Sequence, residues 1–285
     1  MFARKRNVPT LSLGAIGIWV LIGAAPSIAA VVVFEETFES YADQTDFATV
    51  WSEDGSPPHL LDTTFGRNSN QSIELVPQTS GGGITNRWFL DLSTPVAATD
   101  GQPIRFSFDF FLDPAGENTL WADDWQLADI RAFGGGAFGQ GTLDGLVAMG
   151  IARTASGSVD ILDTTAFQGR VIEPGNVGPS YYSLNDLPTA VPRSSGWHHL
   201  EALIGDTTIH FSVDGQPAES VNVGVPAPFT TVILGSDIPN NLSYWVDNIR
   251  LEVEIPEPLS SSLMLFAANG ILVAVHRRRS LRRME

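Results

Sequence analysis

The sequence contains no cysteine, and its only lysine is Lys5. The absence of cysteine excludes disulfides, thiol chemistry and cysteine-type zinc sites. Residues 31–255 hold 8 arginines, no lysine and 30 acidic residues, which gives a formal charge of −22. Such a surface disfavours nucleic acids and anionic lipids, because phosphate binding needs clustered cations. It is compatible with divalent metal ions and with neutral glycans.

The first 30 residues have the three parts of a secretory signal peptide. Residues 4–6 are basic, residues 11–22 are apolar and uncharged, and Pro26 ends any helix that reaches it. Small residues follow, and they predict cleavage after Ala29 or Ala30. The alternative is an uncleaved membrane anchor. The apolar stretch is short for that role, since a membrane span needs about 20 residues.

The last 30 residues combine three features in a fixed order. Pro256, Glu257 and Pro258 form a rigid, non-helical motif, residues 259–275 are uncharged and largely apolar, and arginines cluster at 276–283. As a helix, the apolar part would be barely long enough to cross a hydrocarbon core of ~30 Å. The arginines are expected to stay on the cytoplasmic side.

This order resembles the PEP-CTERM sorting signal. The resemblance implies recognition by an exosortase-type membrane protease and transient inner-membrane anchoring through the C-terminal helix. It further implies removal of the tail and delivery to the cell surface or extracellular matrix of a Gram-negative-type bacterium. The chain departs from the pattern in its polar residues 260–262 and in running past the arginines to Glu285. The alternative is an ordinary single-pass anchor. The predicted division is a signal peptide (1–30), a central domain (31–255) and a sorting tail (256–285).

A period of two dominates the central domain, and no part of it has a convincing helical period. Ile104, Phe106, Phe108 and Phe110 alternate with polar residues, as in a strand with one buried face. Strands are predicted at 32–38, 72–76, 85–90, 104–110, 125–133, 145–152, 158–163, 197–204, 209–213, 229–234 and 243–253. Many short strands without helices predict an all-β, antiparallel two-sheet β-sandwich or jelly roll.

Three segments of the central domain resemble the concanavalin A-like, or laminin-G-like, jelly-roll superfamily. They are the opening FEETFESY at 34–41, the strands GWHHL and IHFSVDG within 196–215, and the closing YWVDNI at 244–249. The resemblance implies the fold. It leaves the function open, because this superfamily includes glycan-binding modules, adhesion domains, hydrolases and lyases.

Asp247 shares its parity with apolar residues of the closing strand, so the pattern predicts an inward-facing carboxylate that needs compensation. Calcium binds carboxylate and carbonyl oxygens and would supply that compensation. Related carbohydrate-binding modules hold a structural calcium between the first and last strands, which implies Glu39 and Asp247 as ligands here. Glu39 has the opposite parity to Phe34 and Phe38, so periodicity alone does not direct it to the same site. The alternative is that Asp247 accepts backbone hydrogen bonds or lies at a sheet edge.

Candidate catalytic groups are few. A glycoside hydrolase needs two carboxylates at the scissile bond, and Asp109 with Asp113 is the nearest approach to a suitable spacing. His198 and His199 are adjacent in a predicted strand, so they point to opposite faces and cannot easily share a metal ion. The glycine-rich segment 134–141 lacks the lysine and the helix of a phosphate loop, and it predicts a loop beside a sheet face.

Some aromatic residues are candidates for stacking on sugar rings: Trp121, Trp125, Tyr181 and Tyr182. The two tryptophans flank a pair of aspartates, for which a turn with partly buried tryptophans is the alternative. Taken together, the pattern favours a non-catalytic, exported surface or matrix protein that binds polysaccharide. A secreted glycan hydrolase or lyase and a purely architectural, calcium-stabilised protein are the alternatives.

Overall fold

The computed structural model describes residues 28–55, 60–76, 86–99, 101–113, 125–152, 165–175, 180–224, 226–236 and 243–256. Residues 1–27 of the predicted signal peptide, the tail beyond Pro256 and the predicted strand at 158–163 lie outside these ranges. In the part of the chain that is described, no helix is long and apolar enough to cross a membrane.

The described elements are fifteen strands and one four-residue helix. The strands are β1 (Ile28–Glu36), β2 (Ser52–Gly55), β3 (Leu60–Asp62), β4 (Ser72–Leu75), β5 (Asn86–Val96), β6 (Ile104–Leu112), β7 (Trp125–Phe133), β8 (Leu143–Ala152), β9 (Gln168–Ile172), β10 (Ser180–Ser183), β11 (Gly196–Ile204), β12 (Thr208–Val213), β13 (Gln216–Asn222), β14 (Phe229–Ser236) and β15 (Tyr244–Pro256). The helix α1 (Gln44–Phe47) was not predicted. It begins at Asp43, whose side chain accepts the N–H groups of Thr45 and Asp46 as an N-cap.

The strands form two antiparallel sheets. Sheet A has the order β13-β12-β11-β6-β15-β4-β3, and β1 pairs with the C-terminal part of β15. Sheet B has the order β10-β9-β8-β7-β14-β5-β2. The last strand in sequence therefore lies inside sheet A. The prediction of an all-β, antiparallel two-sheet sandwich is confirmed.

One apolar core fills the space between the sheets. Phe106, Phe108 and Phe110 of β6 are fully buried and belong to the same cluster as Val147 of β8 and Val232 of β14. Burying a phenylalanine side chain stabilises a fold by about 1.5–3 kcal/mol. The alternating phenylalanines predicted from the sequence are thus a main source of stability in a domain without disulfides.

Candidate functional site

The outer face of sheet A carries side chains in rows that run across β11, β6 and β15. Trp197 pairs with Phe111, and Phe111 pairs with Trp245, so the three rings stand on the same face. The Phe111 ring lies 5.3 Å from the Trp197 ring and 5.6 Å from the Trp245 ring, measured between centroids. All three side chains are partly exposed. We call Trp197, Phe111 and Trp245 the aromatic row.

Phe65 packs against this row from the loop between β3 and β4, here called the β3–β4 loop (residues 63–71). Its ring is stacked on Trp197 at 5.5 Å and meets Phe111 edge-on at 4.8 Å. It also contacts Trp245 at 5.3 Å. The four rings form one continuous aromatic cluster on the sheet surface.

Asp247 holds the β3–β4 loop in place. Its Oδ2 accepts the N–H of Arg67 at 2.8 Å and the hydroxyl of Ser69 at 2.9 Å, and its Oδ1 accepts the N–H of Asn248 at 2.7 Å. Burial raises the pKa of the Asp247 carboxyl above its ordinary value, and the nearby charge of Asp109 adds to this rise. The three hydrogen bonds lower the pKa, but the net direction is upward.

The expected inward orientation of Asp247 is wrong, because a β-bulge reverses the parity of β15. The register shifts between Asp247 and Arg250, and Asn248 adopts a left-handed backbone with φ of 49°. Before the bulge Val246 is in the core, whereas after it Ile249 is in the core. Asp247 therefore faces the outer side, where the β3–β4 loop covers it completely.

Glu39 holds the same loop from its other end. Its Oε1 accepts the N–H groups of Asn70 at 2.9 Å and Gln71 at 2.7 Å. The two predicted calcium ligands, Glu39 and Asp247, thus converge on one loop. As placed they do not fit a calcium site, because both point toward N–H and O–H donors rather than toward carbonyl oxygens. Within the described residues, no group of three or more acidic or histidine side chains could hold a metal ion. The calcium site stays a prediction.

Asp109 is the centre of a polar cluster in the row beside the aromatic row. Its Oδ1 accepts Arg67 Nη1 at 2.5 Å and lies 2.8 Å from His199 Nδ1, while its Oδ2 accepts Asn248 Nδ2 at 2.8 Å. Asp109 is the cross-strand neighbour of Asp247. These contacts use both oxygens of Asp109 for positioning neighbouring side chains.

A groove of about 340 Å³ continues from this cluster along the outer face of sheet A. We call it the polar groove, and its lining residues are Glu35, Thr37, Arg105, Ser107, His199, Glu201, Asn248, Arg250 and Glu252. Arg105 pairs with Glu201 at 2.6 Å, and Arg250 pairs with Glu252 at 2.8 Å. The two arginines offset two of the three lining glutamates, so the groove combines hydrogen-bonding groups with a small net negative charge.

The two adjacent histidines face opposite sides of sheet A, as predicted. His198 is buried, with Nδ1 at 2.8 Å from Asp214 Oδ2 and Nε2 at 3.0 Å from the carbonyl oxygen of Ser194. His199 lines the polar groove and is partly exposed. Among the described residues, His199 Nε2 has no hydrogen-bond partner.

The predicted sugar-stacking residues do not form one surface in the described chain. Tyr181 lies on the outer face of sheet B, where it packs against a small buried cluster that includes Leu127 and Leu146, and its ring centroid lies 5.5 Å from the Arg170 guanidinium carbon. Tyr182 packs against the core between the sheets. Neighbouring strand residues point to opposite faces, so these tyrosines cannot line a single binding face. Trp121 and the side chain of Trp125 lie outside the described residues.

The glycine-rich segment 134–141 lies beside sheet B, as predicted. Phe138 stacks on Phe89 of β5 with ring centroids 4.0 Å apart, and its N–H donates to Asp91 Oδ1 at 2.9 Å.

The outer face of sheet B also holds an ion pair that the sequence did not suggest. Arg131 Nε and Nη2 donate to the two oxygens of Asp129 at 2.8 and 2.9 Å. Both side chains are buried.

Comparisons with known proteins found no matching family model and no matching curated protein. Among solved structures, the laminarinase catalytic domain from Thermotoga petrophila is similar over 81% of this chain and 100% of that chain, with 16% identity and a TM-score of 0.48. The endo-β-1,3-glucanase from Pyrococcus furiosus has the same coverage, 14% identity and a TM-score of 0.49. A protein of unknown function with a galectin-like fold from Bacillus subtilis is also similar over 81% of this chain and 100% of that chain, with 11% identity and a TM-score of 0.47. Identities and TM-scores this low support no inference about the function of this chain.

Proposed function

We propose that this chain is an exported, exosortase-sorted surface or matrix protein whose sheet A binds polysaccharide on its outer face without cleaving it. We further propose that the sandwich belongs to the concanavalin A-like, laminin-G-like superfamily. The observation that carries the binding function is the aromatic row lying directly beside the polar groove. Ligand sites combine apolar or aromatic surface with a few placed polar groups, and a sugar ring presents one apolar face and a rim of hydroxyls.

The spacing of the rows suits this chemistry. Neighbouring strands lie about 4.8 Å apart, so the three rings of the aromatic row span roughly 10 Å across the sheet. Residues i and i+2 of a strand lie on the same face about 6.8 Å apart, and this is the distance from the aromatic row to the row of Asp109 and His199. A sugar ring packed against the exposed part of the aromatic row would therefore place its hydroxyls within reach of the polar groove.

The contacts of the acidic side chains favour binding over hydrolysis. Glycoside hydrolysis needs one carboxylic acid and one carboxylate that face the scissile bond. Asp247 is fully buried under the β3–β4 loop, and the oxygens of Asp109 are occupied by three donors. Of the three glutamates in the described lining of the groove, Glu201 and Glu252 pair closely with arginines, and Glu35 is an exposed carboxylate 4.0 Å from Arg250. A secreted hydrolase or lyase remains the second candidate as an outcome of the test.

The test is retention of the purified protein on a panel of insoluble and immobilised polysaccharides, including matrix material from the producing bacterium. Trp197→Ala and Trp245→Ala should each weaken retention about tenfold, because each removes one stacking ring. Tyr181→Ala is the matched control, since it removes a partly exposed ring from sheet B and should leave retention unchanged. Tryptophan fluorescence and circular dichroism verify that each variant is folded.

Three outcomes would contradict this assignment. Retention on no polysaccharide would leave an architectural role. Loss of retention in Tyr181→Ala but not in Trp197→Ala would move the binding face to sheet B. Release of reducing or unsaturated ends from any polysaccharide would replace binding by hydrolysis or lysis as the function.

The sorting part of the proposal is tested on the mature chain from the producing bacterium. Mass spectrometry should find a start at Ala30 or Val31 and no residues from the apolar tail.

The calcium hypothesis has its own test, the melting temperature with and without chelator. Because Glu39 and Asp247 already accept hydrogen bonds from the β3–β4 loop, we expect the chelator to leave the melting temperature unchanged. A fall of several degrees would restore calcium as a structural ligand.

A further inference from the structure

The first and last described strands pair at the two points where the chain is expected to be processed. β1 begins at Ile28 and β15 ends at Pro256, and these residues lie opposite each other. The next pair is Ala29 with Ile255. The predicted signal-peptide cut and the first residue of the Pro-Glu-Pro motif therefore lie on neighbouring strands at one end of sheet A.

On the side of β15 that faces β6, the strand pairing stops before it does on the side that faces β1. Its pairing with β6 ends at Val253, and one further contact follows, in which the Glu254 N–H donates to the carbonyl oxygen of Pro103 at 2.9 Å. Within the described residues, only β1 pairs with residues 255–256. These two residues belong to the sheet only as long as Ile28 and Ala29 are present.

We infer that, in a precursor whose domain folds before its signal peptide is removed, signal-peptide cleavage releases Ile255 and Pro256 from sheet A and so speeds cleavage by the second protease. This inference rests on the sorting tail of the proposed function. Cleavage after Ala29 or Ala30 removes both partners of residues 255–256. Proteases cut exposed, unpaired backbone, so the freed segment becomes a substrate next to a folded domain. Removal of the tail by hydrolysis breaks one peptide bond, and water supplies the hydroxyl of the new carboxyl group and a proton of the new amine.

The coupling has a measurable size. Proteolysis of a paired segment follows the population of its open form when opening is faster than cleavage. Two cross-strand pairs must open in a precursor that keeps its signal peptide, and none must open after cleavage. We expect tail removal to be about tenfold slower in the uncleaved precursor, a factor that corresponds to about 1.4 kcal/mol.

The experiment follows the full chain by pulse-chase labelling in the producing bacterium. The double variant Ala29→Phe, Ala30→Phe puts large side chains where signal peptidase requires small ones, while phenylalanine is well suited to a strand. This variant should keep its signal peptide and lose its tail about tenfold more slowly than the wild type. Adding Ile28→Pro to it should restore the wild-type rate of tail removal, because proline has no N–H to donate and disfavours a paired strand.

The outcomes separate this inference from the sorting proposal. If the double variant loses its tail at the wild-type rate, the coupling is refuted while the sorting proposal stands. If tail removal is slow but Ile28→Pro does not restore it, the retained signal peptide itself causes the delay, and the coupling is again refuted. If the wild type never loses its tail, the sorting proposal fails and the coupling fails with it.

Discussion

The attachment of the β3–β4 loop gives the sharpest test of the site. Asp247→Ala removes an acceptor that Arg67, Ser69 and Asn248 use. Ser69 keeps the carbonyl oxygen of Gln71 as a partner at 3.2 Å, so the cost comes mainly from two backbone N–H groups. A fully buried donor left without a partner costs about 1–3 kcal/mol, and these two hydrogen bonds are partly buried, which favours the lower part of the range for each. We therefore expect the free energy of unfolding to fall by about 2–4 kcal/mol.

The assay is urea unfolding followed by tryptophan fluorescence, since Trp197 and Trp245 contact Phe65 of the same loop. Glu39→Gln is the matched control. It keeps an oxygen for the same two loop amides at an exposed position, so its loss should stay below about 1 kcal/mol. A loss below about 1 kcal/mol for Asp247→Ala, with an unchanged denaturant slope, would show that the loop does not depend on this carboxylate.

The pH dependence of stability tests the environment of Asp247 separately. Burial and the charge of Asp109 raise its pKa in the folded protein, so folding favours the protonated form. This contribution to stability is complete below the ordinary aspartate pKa of about 4 and is lost as the pH rises through the raised pKa. The wild type should therefore lose stability relative to the non-titrating Asp247→Asn as the pH rises through this window. If the wild type instead gains stability relative to Asp247→Asn as the pH rises, the folded state lowers the pKa of Asp247.

Two further predictions concern groups outside the site. Asp129→Ala should cost about 3–5 kcal/mol in urea unfolding, because buried Arg131 loses its two-pronged partner, whereas Asp129→Leu with Arg131→Met should recover most of that loss. Equal losses in the single and double variants would refute this account. Burial raises the pKa of Tyr41, and the hydrogen bond to the Glu36 carboxylate adds to the rise. The contribution of Tyr41 to stability is present below pH ~10 and is lost as the pH rises through the raised pKa, so Tyr41 should ionise only as the protein unfolds. Four tyrosines that ionise together in the folded protein, by absorbance at 295 nm, would contradict this expectation.

Most of the strands that were not predicted share one physical cause. The unpredicted strands are β2, β3, β9, β10 and β13, and four of them are the strands at the ends of the two sheets. An edge strand pairs on one side only and needs little burial, so its residues do not alternate clearly. β13 even contains Pro217, which an interior strand would exclude. By contrast, the central strands β6, β7, β11 and β15 were predicted to within a few residues of their ends.

The site could be predicted only in part, because two of its determinants are not periodic. Trp197 and Trp245 lie on predicted strands and Phe111 directly follows one, but pairing the three requires the strand order. Phe65 lies in a loop without a pattern, and its position depends on a contact between Arg67 and Asp247, which are 180 residues apart. The bulge at Asn248 reversed the inferred orientation of Asp247, and a positive φ at asparagine is not visible in hydrophobic alternation.

The interior position of β15 has a consequence for the timing of folding. A chain that leaves the ribosome or crosses a membrane N-terminus first delivers β15 last, yet this strand separates β6 from β4 in sheet A. Until it arrives, β6 and β4 each have an open edge, and the β3–β4 loop lacks its Asp247 anchor. Contacts of such long sequence separation form late and slow folding. The proposed binding face of sheet A is therefore complete only when the whole domain has emerged, so partly delivered chains should not be retained on polysaccharide.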